Sequence, residues 1–316
     1  MARTDTGLLV ALAALAATAC NAAAEVAAPV EARRPAIRIT DDLGREVAIE
    51  RPATRIAALA PCFVESLFAI GCGGRVILRD TWSDHPSPGV DAIPKVDGVQ
   101  VSVRNVAGFS PDLVVLFADD GRNADAFERV GLKVAVMHPD TYDEVAADLV
   151  KLGALCGREA EARREAEEML AVREEVARGI GPAPRPSVYV EIDAADPTRP
   201  WTAGPGSFVA ELVELAGGRN AATGVTKPYV QISAEAIIRA APDVVLVAHD
   251  GLAGKDAAAE ILGRPGWSSL AAASAGRVIA EIDGDLLSRP GPRLADGLRA
   301  LAAALREKAP LDGGAP

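Results

Sequence analysis

A charged segment near the middle of the chain, Arg158–Arg178, carries a regular apolar stripe. Its apolar residues recur at steps of three and four positions: Ala162, Ala166, Met169, Val172 and Val176. This spacing predicts a helix with one narrow apolar face on an otherwise solvated surface. At ~1.5 Å per residue it would reach roughly 30 Å, about the width of a small domain. Two interpretations fit: a surface helix on a single domain, or a rigid connection between two lobes.

Repeated segments on either side of this helix favour two lobes. Residues 63–75, FVESLFAIGCGGR, resemble residues 208–220, FVAELVELAGGRN. Residues 110–117, SPDLVVLF, resemble residues 241–247, APDVVLV, and both pairs keep the same order along the chain. Chance similarity between apolar segments is the alternative, but the shared order favours two similar α/β halves.

Short apolar runs alternate with helical patterns in both halves. Ile37–Ile49 alternates polar and apolar residues about a Leu-Gly turn and predicts a β-hairpin. Buried strands are predicted at 55–60, 76–78, 113–117, 134–136, 188–192, 244–248 and 278–282. Alternation of strands and helices indicates α/β lobes with parallel or mostly parallel sheets, whose ligands bind at the carboxyl ends of the strands. We therefore predict two similar α/β lobes, residues 36–157 and 180–316, joined by a single long helix over residues 158–179.

The first residues are predicted to be a targeting segment. Arg3 precedes an apolar run, Leu8–Ala17, that is too short to span a bilayer. Ala17-Thr18-Ala19-Cys20 resembles a bacterial lipoprotein signal in which Cys20 is lipidated, although Ala17 stands where Leu is usual. Cleavage after an Ala-x-Ala sequence such as 22–24 is the alternative. We expect a signal over residues 1–20, a flexible tether over 21–35, and export to the periplasm or cell envelope in either case.

Composition narrows the function without identifying it. The formal net charge of −11 argues against nucleic-acid binding, which needs a basic face. With Cys20 lipidated, Cys62, Cys72 and Cys156 would remain, and buried free thiols are the expectation. Cys62 and Cys72 bracket one predicted helix and lie too far apart to bond. A bridge from Cys156 to either one remains open.

The large aromatic residues in the predicted loops point to an organic ligand. Trp82, Trp201 and Tyr229 lie among Gly, Pro and Asp, away from the periodic apolar segments. Aromatic side chains from both lobes would suit a flat guest in a shared cleft; packing onto the rim of their own lobe is the alternative. Trp267 is predicted to pack within its lobe.

Catalytic and metal-binding patterns are weak. Gly204-Pro205-Gly206-Ser207 lacks the second glycine of a nucleophile elbow, so Ser207 is expected to cap a helix. His85, His138 and His249 have no metal-ligand spacing. We therefore predict no catalytic residues, no metal site and no resident cofactor.

Residues 37–305 resemble the substrate-binding proteins of ABC importers for vitamin B12, iron-siderophores and haem. The resemblance rests on TDDLGREVAI, RIAALAP, LFAIGCGGRV, PKVDG and SPDLVV, and on the closing segment from PGWSSLAAASAGRV to PRLADGLRAL. WTAGPGS, residues 201–207, and residues 283–293 are most similar to the cobalamin-binding branch. The resemblance implies two Rossmann-like lobes joined by a single rigid helix, with a largely preformed cleft between them.

The resemblance also implies roles for particular residues. Trp82 of the first lobe and Trp201 and Tyr229 of the second would stack against a corrin ring. Asp285 and Arg289 would meet its amide side chains, and Pro61, Asp119 and Asp120 would line the strand ends of the first lobe.

The resemblance further implies that one glutamate on each lobe docks onto arginines of an ABC permease. Glu235 matches this position in the second lobe, whereas Arg104 stands where the first lobe should carry the acid. An Arg facing the permease's arginines would repel them. Either this chain's permease is altered on that side, or the chain does not dock in the usual way.

The leading hypothesis is an exported, monomeric corrinoid-binding protein that delivers its ligand to an ABC importer permease. It would have no cofactor of its own and would touch the membrane only through a lipid anchor. A siderophore or haem carrier is the alternative within the same class; haem would need an iron ligand such as Tyr229 or His85. An envelope enzyme, and a corrinoid sensor without a permease, are alternatives of other classes.

Overall fold

Two α/β lobes on either side of one long helix make up the part of the chain that the computed structural model describes, residues 36–98, 100–117, 121–182, 184–252 and 255–308. The predicted fold class is confirmed.

The first lobe opens with a hairpin and continues with a parallel sheet. The hairpin pairs β1 (Ile37–Thr40) with β2 (Glu46–Ile49). The sheet has the strand order β5-β4-β3-β6-β7 among the described residues, and every pairing in it is parallel. Its elements are β3 (Ile56–Ala58), α1 (Pro61–Ala69), β4 (Val76–Asp80), β5 (Lys95–Val96), α2 (Val103–Gly108), β6 (Leu113–Phe117), α3 (Arg122–Arg129), β7 (Val134–Met137) and α4 (Tyr142–Cys156).

The connecting helix α5 (Glu159–Gly179) buries the stripe that the sequence predicts. Ala162, Ala166, Met169, Val172 and Val176 are its buried residues. It packs against α4 of the first lobe and against the C-terminal helix of the second. A Cβ atom added to Gly153 of α4 would lie 2.3 Å from the Cβ of Ala162, so only glycine allows the two helices to approach this closely.

The second lobe has a mixed sheet. Its elements are β8 (Ser187–Asp193), β9 (Trp201–Ala203), α6 (Phe208–Leu215), β10 (Arg219–Asn220), β11 (Tyr229–Gln231), α7 (Ala234–Ala240), β12 (Val244–Val247), α8 (Ala257–Leu262), α9 (Ala271–Ser274), β13 (Val278–Ile279), α10 (Asp285–Ser288) and α11 (Leu294–Lys308). The strand order is β11-β9-β8-β12-β13, with β10 also pairing β8. Strand β9 runs antiparallel to both of its neighbours, β8 and β11, and the other pairings are parallel.

Two details of the second lobe differ from the prediction. Trp201 and Tyr229 lie in strands, not loops, and they add an antiparallel edge to the sheet. Strands of three residues are too short to show an alternating pattern, and glycine and proline residues flank both of them. The strand predicted over Val278–Ile282 ends at Ile279.

The repeated segments occupy equivalent places in the two lobes. Helices α1 and α6 carry the first repeat, while β6 and β12 carry the second and pair in parallel with the central strands β3 and β8. Asp112 and Asp243 immediately precede the two repeated strands, β6 and β12. The backbone N–H of Asp112 donates to the carbonyl of Arg55, and that of Asp243 donates to the carbonyl of Ser187, each at 2.8 Å. The similarity between the halves therefore extends to individual hydrogen bonds.

One apolar core runs through both lobes. It contains Phe63 and Leu113 of the first lobe, Met169 and Val172 of α5, and Leu298 of the second lobe. Smaller clusters cover the opposite face of each sheet; Trp267 is fully buried in one of them, as predicted. The lobes and α5 therefore share one core and do not meet through a flexible linker. Burial of this apolar surface stabilises their arrangement.

Candidate functional site

A cavity of about 310 Å³ lies between the lobes at the carboxyl ends of their strands. Most of its lining is apolar or aromatic. The first lobe contributes Ala60, Pro61, Cys62, Phe117, His138, Pro139 and Asp140, and the second contributes Ile192, Phe208, Val209, Tyr229, Ser288, Arg289 and Pro290.

Three of the predicted ligand-binding residues line this cavity: Pro61, Tyr229 and Arg289. Pro61 is the first residue of α1, a position where a missing N–H costs no helical hydrogen bond. Burial raises the pKa of the Tyr229 phenol, and the nearby Asp140 raises it further. The hydroxyl of Tyr229 therefore stays protonated at neutral pH and can donate a hydrogen bond into the cavity.

Trp201 and Tyr229 share one face of the antiparallel edge of the second sheet. Trp201 lies opposite Gln231, and Tyr229 lies opposite Ala203. Directly opposite residues project to the same face, so Trp201 and Tyr229 are diagonal neighbours there. Both are exposed, Trp201 by 42% and Tyr229 by 38%. Together they offer an aromatic surface beside the cavity.

The loop that carries Trp82 rests on two buried charged residues, Arg79 and Asp80. The Asp80 carboxylate accepts hydrogen bonds from the Trp82 N–H at 2.7 Å and from the Ser83 hydroxyl. The Arg79 guanidinium donates to the carbonyls of Val90, at 3.1 Å, and Ser83. Trp82 itself is 65% exposed, and neither it nor Trp201 is among the residues lining the cavity.

Arg289 lies at the centre of an ionic cluster that crosses between the lobes. One terminal nitrogen is 2.7 Å from Asp84 Oδ1 and 3.1 Å from Glu65 Oε1, both in the first lobe. The other is 2.7 Å from Asp285 Oδ2 in its own lobe. The hydrogen bond from Arg289 lowers the pKa of Asp84, whereas burial raises that of Asp285. The predicted pair Asp285 and Arg289 is thus in contact, and Arg289 has three carboxylate partners.

Glu65 holds a second arginine across the same boundary. Arg293 donates from Nε to Glu65 Oε2 at 2.9 Å and from Nη2 to Glu65 Oε1 at 2.7 Å. This two-pronged geometry fixes both partners more firmly than a single contact would. Glu65 is buried in α1, so the cluster fastens the first lobe to residues 289–293 of the second.

A larger cavity, of about 620 Å³, adjoins the first and shares Asp140 with it. Thr141 lines it from the first lobe, and Pro205, Gly206, Ser207 and Glu211 are among its residues in the second. Ser207 caps α6 as predicted, accepting a hydrogen bond from the Ala210 N–H at 3.2 Å. The Tyr142 N–H donates to Glu211 at 2.6 Å, a second contact between the lobes.

The three histidines occupy separate environments. His138 lines the first cavity, with its ring 5.4 Å from that of Phe117 and its Nε2 3.5 Å from Asp140. His249 pairs with the buried Glu191 at 3.0 Å. His85 lines another cavity, with Glu65 and Phe68, and is not among the described residues that line the first cavity with Tyr229. Among the described residues, no three His, Cys, Asp or Glu side chains gather as a metal site.

The two predicted docking residues occupy matching positions on exposed helix starts. Arg104 is the second residue of α2, which Ser102 caps, and Glu235 is the second residue of α7, which Ser233 caps. Both are exposed. Hydrogen bonds from its own N–H and from Ser233 lower the pKa of Glu235. The lobes therefore present opposite charges at equivalent places.

Asp119, Asp120 and Cys20 lie outside the described residues, as do the predicted signal and tether. Within the described ranges, no helix is both long and apolar enough to cross a membrane.

Glu65, Asp84 and His138 are among the residues of the cleft that sequence reasoning missed. Glu65 had a signal, because it is a lone carboxylate in the apolar run FVESLFAI and such a group needs a partner when buried. Asp84 and His138 stood in polar loops and had no such signal.

Similarity to known proteins agrees with this architecture. The family model described as periplasmic binding protein matches residues 56–282. An uncharacterised ABC transporter substrate-binding lipoprotein, YvrC of Bacillus subtilis (strain 168), is 30% identical over 274 residues, 84% of each chain. A vitamin B12-binding protein of Pectobacterium atrosepticum is 23% identical, covering 76% of this chain and 84% of that protein.

A solved structure extends the similarity to three dimensions. The periplasmic heme-binding protein RhuT from Roseiflexus sp. RS-1, in its apo form, superimposes with a TM-score of 0.72 at 25% identity. The match covers 82% of this chain and 100% of that one. With the two lobes, the connecting helix and the matched residues 56–282, the chain belongs to the periplasmic binding protein family.

Proposed function

We propose that this chain captures a corrinoid between its lobes and hands it to the permease of an ABC importer, without covalent chemistry. It would act as a monomer in the cell envelope, with Cys20 as a lipid anchor. We choose a corrinoid as the ligand because an arginine that is already neutralised lies beside exposed aromatic rings. Arg289, the only Arg or Lys among the described residues lining the 310 Å³ cavity, is already paired with Glu65, Asp84 and Asp285.

An anionic ligand would find little attraction in this cleft. Anionic siderophores and haem carry carboxylates or other anionic groups that favour unpaired arginines or lysines. Arg289 and Arg293 each contact the buried Glu65, and Asp84 and Asp285 add further negative charge. A neutral ligand fringed with amides avoids this cost: its carbonyls can accept from Arg289 and Tyr229, and its N–H groups can donate to Asp285.

The aromatic surface suits a flat ring system. Trp201 and Tyr229 expose a shared face on the second lobe, and Trp82 is exposed in the first. Asp84, two residues after Trp82, already reaches Arg289 at 2.7 Å, so the Trp82 loop lies at the rim of the cleft. A corrin is larger than a 310 Å³ cavity, so it would extend over this rim and cover the exposed rings. The similarity to a vitamin B12-binding protein supports the same ligand class.

Haem is the second candidate, on one specific observation. His138 and Tyr229 line the same cavity, and both side chains are of the types that ligate haem iron. The similarity to the heme-binding RhuT supports this alternative. The neutralised Arg289 argues against it, because haem propionates would compete with three carboxylates for one guanidinium.

Calorimetric titration of the purified chain with cyanocobalamin, haemin and a ferric hydroxamate siderophore tests the proposal. We expect cyanocobalamin to bind most tightly. Tightest binding of haemin would replace the corrinoid proposal with the haem one. Absence of binding to all three would remove both.

Two substitutions test the site. Trp82→Ala and Trp201→Ala should each weaken cyanocobalamin binding by about 1 kcal/mol, or roughly fivefold, the worth of one aromatic contact. Val130→Ala, which removes another exposed apolar side chain at the end of α3, is the matched control and should bind normally. Normal binding by both tryptophan variants would mean that the ligand lies elsewhere.

A further inference from the structure

Two buried thiols lie against each other at the end of the first lobe from which α5 starts. Cys72 lies in the turn after α1, and Cys156 is the last residue of α4, just before α5. Both side chains are fully buried free thiols, and each thiol interacts with the other. The chain separates them by more than eighty residues, so the fold alone brings them together.

Arg75 holds the two cysteine backbones in this arrangement. Its own N–H donates to the carbonyl of Cys72 at 2.9 Å. Its Nη1 donates to the carbonyl of Cys156 at 2.7 Å and to that of Ala53 at 3.0 Å. Because these bonds involve no sulfur, the thiols are positioned by the surrounding structure and not only by their mutual contact.

Cys62 provides an internal contrast. It is also buried, but burial and the carboxylates of Glu65 and Asp148 raise the pKa of its thiol well above the usual value, and its interactions include no other cysteine. For Cys72, by contrast, the interaction with the Cys156 thiol and the guanidinium groups of Arg75 and Arg158 lower the pKa to about 7. The three thiols therefore divide into one contacting pair and one isolated member.

We infer that Cys72 and Cys156 form a disulfide when the chain folds in an oxidising compartment. The oxidant is a disulfide donor, such as an envelope thiol–disulfide oxidoreductase or oxidised glutathione. The Cys72 thiolate attacks the donor disulfide and forms a mixed disulfide, releasing one donor thiolate. Cys156 then loses its proton and attacks the Cys72 sulfur, releasing the second donor thiolate. The two cysteines lose two electrons and two protons, and the donor becomes a dithiol.

Burial sets the timing and the consequence of this reaction. Both thiols are inaccessible in the folded lobe, so exchange takes place before α1 and α4 complete their packing. Once formed, the bond would join the end of α4 to the turn after α1, next to Gly157 and Arg158, where α5 begins. It would limit the freedom of the unfolded chain across a long loop and is expected to raise the thermal stability.

Peptide mapping after alkylation in denaturant tests the inference. The reduced full-length chain is refolded in a buffer of reduced and oxidised glutathione, then alkylated before and after complete reduction. We expect the Cys62 peptide to be labelled before reduction, and the Cys72 and Cys156 peptides to be joined until reduction separates them. The state of Cys20 is read separately from its own peptide. Labelling of Cys72 and Cys156 before reduction, or a bridge that includes Cys62, would overturn the inference.

Matched cysteine variants keep the test decisive even when one variant fails to fold. Cys62→Ser should retain the bridge, and reduction should lower its melting temperature by roughly 5 °C, as in the unmodified chain. Cys72→Ser and Cys156→Ser should be insensitive to reduction. If either of the latter fails to fold, the map of the unmodified chain and of Cys62→Ser still decides the question.

Discussion

Each lobe buries one glutamate among the described residues, and the two glutamates find their ion-pair partners in different places. In the second lobe, Glu191 pairs with His249 at 3.0 Å and with Arg264 at 2.5 and 2.9 Å, all within that lobe. Burial alone would raise the pKa of Glu191, but these two partners outweigh it and lower the pKa. In the first lobe, the ion pairs of Glu65 are with Arg289 and Arg293 of the other lobe. Glu191 is thus neutralised within its own lobe, whereas Glu65 depends on two arginines of the other lobe.

Replacing Glu65 should have the largest effect on stability, because Glu65 is the buried carboxylate that pairs with two arginines of the other lobe. We expect Glu65→Gln to lower the free energy of unfolding by about 3 kcal/mol, since Arg289 and Arg293 lose a buried charged partner. Urea denaturation followed by tryptophan fluorescence measures this change. Asp84→Asn is the control: its side chain is 70% exposed, so its loss should cost less than about 1 kcal/mol. Equal losses of unfolding free energy in Glu65→Gln and Asp84→Asn would mean that the buried Glu65 contributes no more to stability than the exposed Asp84.

A smaller contrast concerns the two aspartates that immediately precede the repeated strands, β6 and β12. Asp112 accepts hydrogen bonds from the Thr54 N–H at 2.9 Å, the Thr54 hydroxyl at 2.8 Å and the Arg55 N–H at 2.9 Å. Asp243 accepts one from the Ser187 N–H at 2.7 Å. We expect Asp112→Ala to cost about 2 kcal/mol and Asp243→Ala about 1 kcal/mol of unfolding free energy. Urea denaturation measures both losses. A larger loss of unfolding free energy for Asp243→Ala than for Asp112→Ala would show that the number of hydrogen bonds does not determine the contribution of each aspartate.

Asp148 of the first lobe gives a pH-dependent contrast with Glu191. Burial raises the pKa of Asp148 to about 6, even though Lys151 donates to its Oδ1 at 2.9 Å. Its Oδ2 is buried without a hydrogen-bond partner among the described residues. The native state therefore holds a proton that the unfolded state releases between about pH 4 and 6, so this contribution to stability falls as pH rises through that window.

Asp148→Asn should remove this loss of stability at neutral pH, because the amide does not ionise. We expect the variant to be more stable than the unmodified chain by on the order of 1 kcal/mol at pH 7.5, with the difference vanishing near pH 4. Thermal unfolding at a series of pH values measures it. A difference that does not change with pH would mean that the Asp148 carboxyl is ionised throughout.

Local patterns predicted most of the fold, and distant contacts account for what they missed. The stripe on α5, the hairpin and the repeated segments are periodic signals carried by neighbouring residues, and the structure agrees with each. Strands β9 and β11 are three residues long and had no period to detect. Their pairing is nevertheless what brings Trp201 and Tyr229 to one face of the sheet.

The site was less predictable because its contacts are long-range. The Arg289–Glu65 pair spans 224 residues and the Arg289–Asp84 pair 205, beyond the reach of any spacing rule. Residue types alone gave candidates, of which Pro61, Tyr229 and Arg289 line one cavity and Asp285 contacts Arg289. That Arg289 is neutralised, which bears most on the choice of ligand, emerges only from the folded chain.

The smallest expected effect on stability, and the one closest to function, concerns Arg104 and Glu235. An acid at the start of a helix is favoured by the helix dipole and a base is disfavoured, so Arg104→Glu should stabilise the chain by about 0.3 kcal/mol. If the proposed permease contacts both helix starts, Glu235→Ala should reduce ligand uptake by whole cells while leaving ligand affinity unchanged. Arg104→Glu should reduce uptake as well, because a partner matched to this chain would present an acid to Arg104. Increased uptake with Arg104→Glu would instead mean that the permease offers arginines to both lobes, and unchanged uptake in both variants would remove the docking assignment.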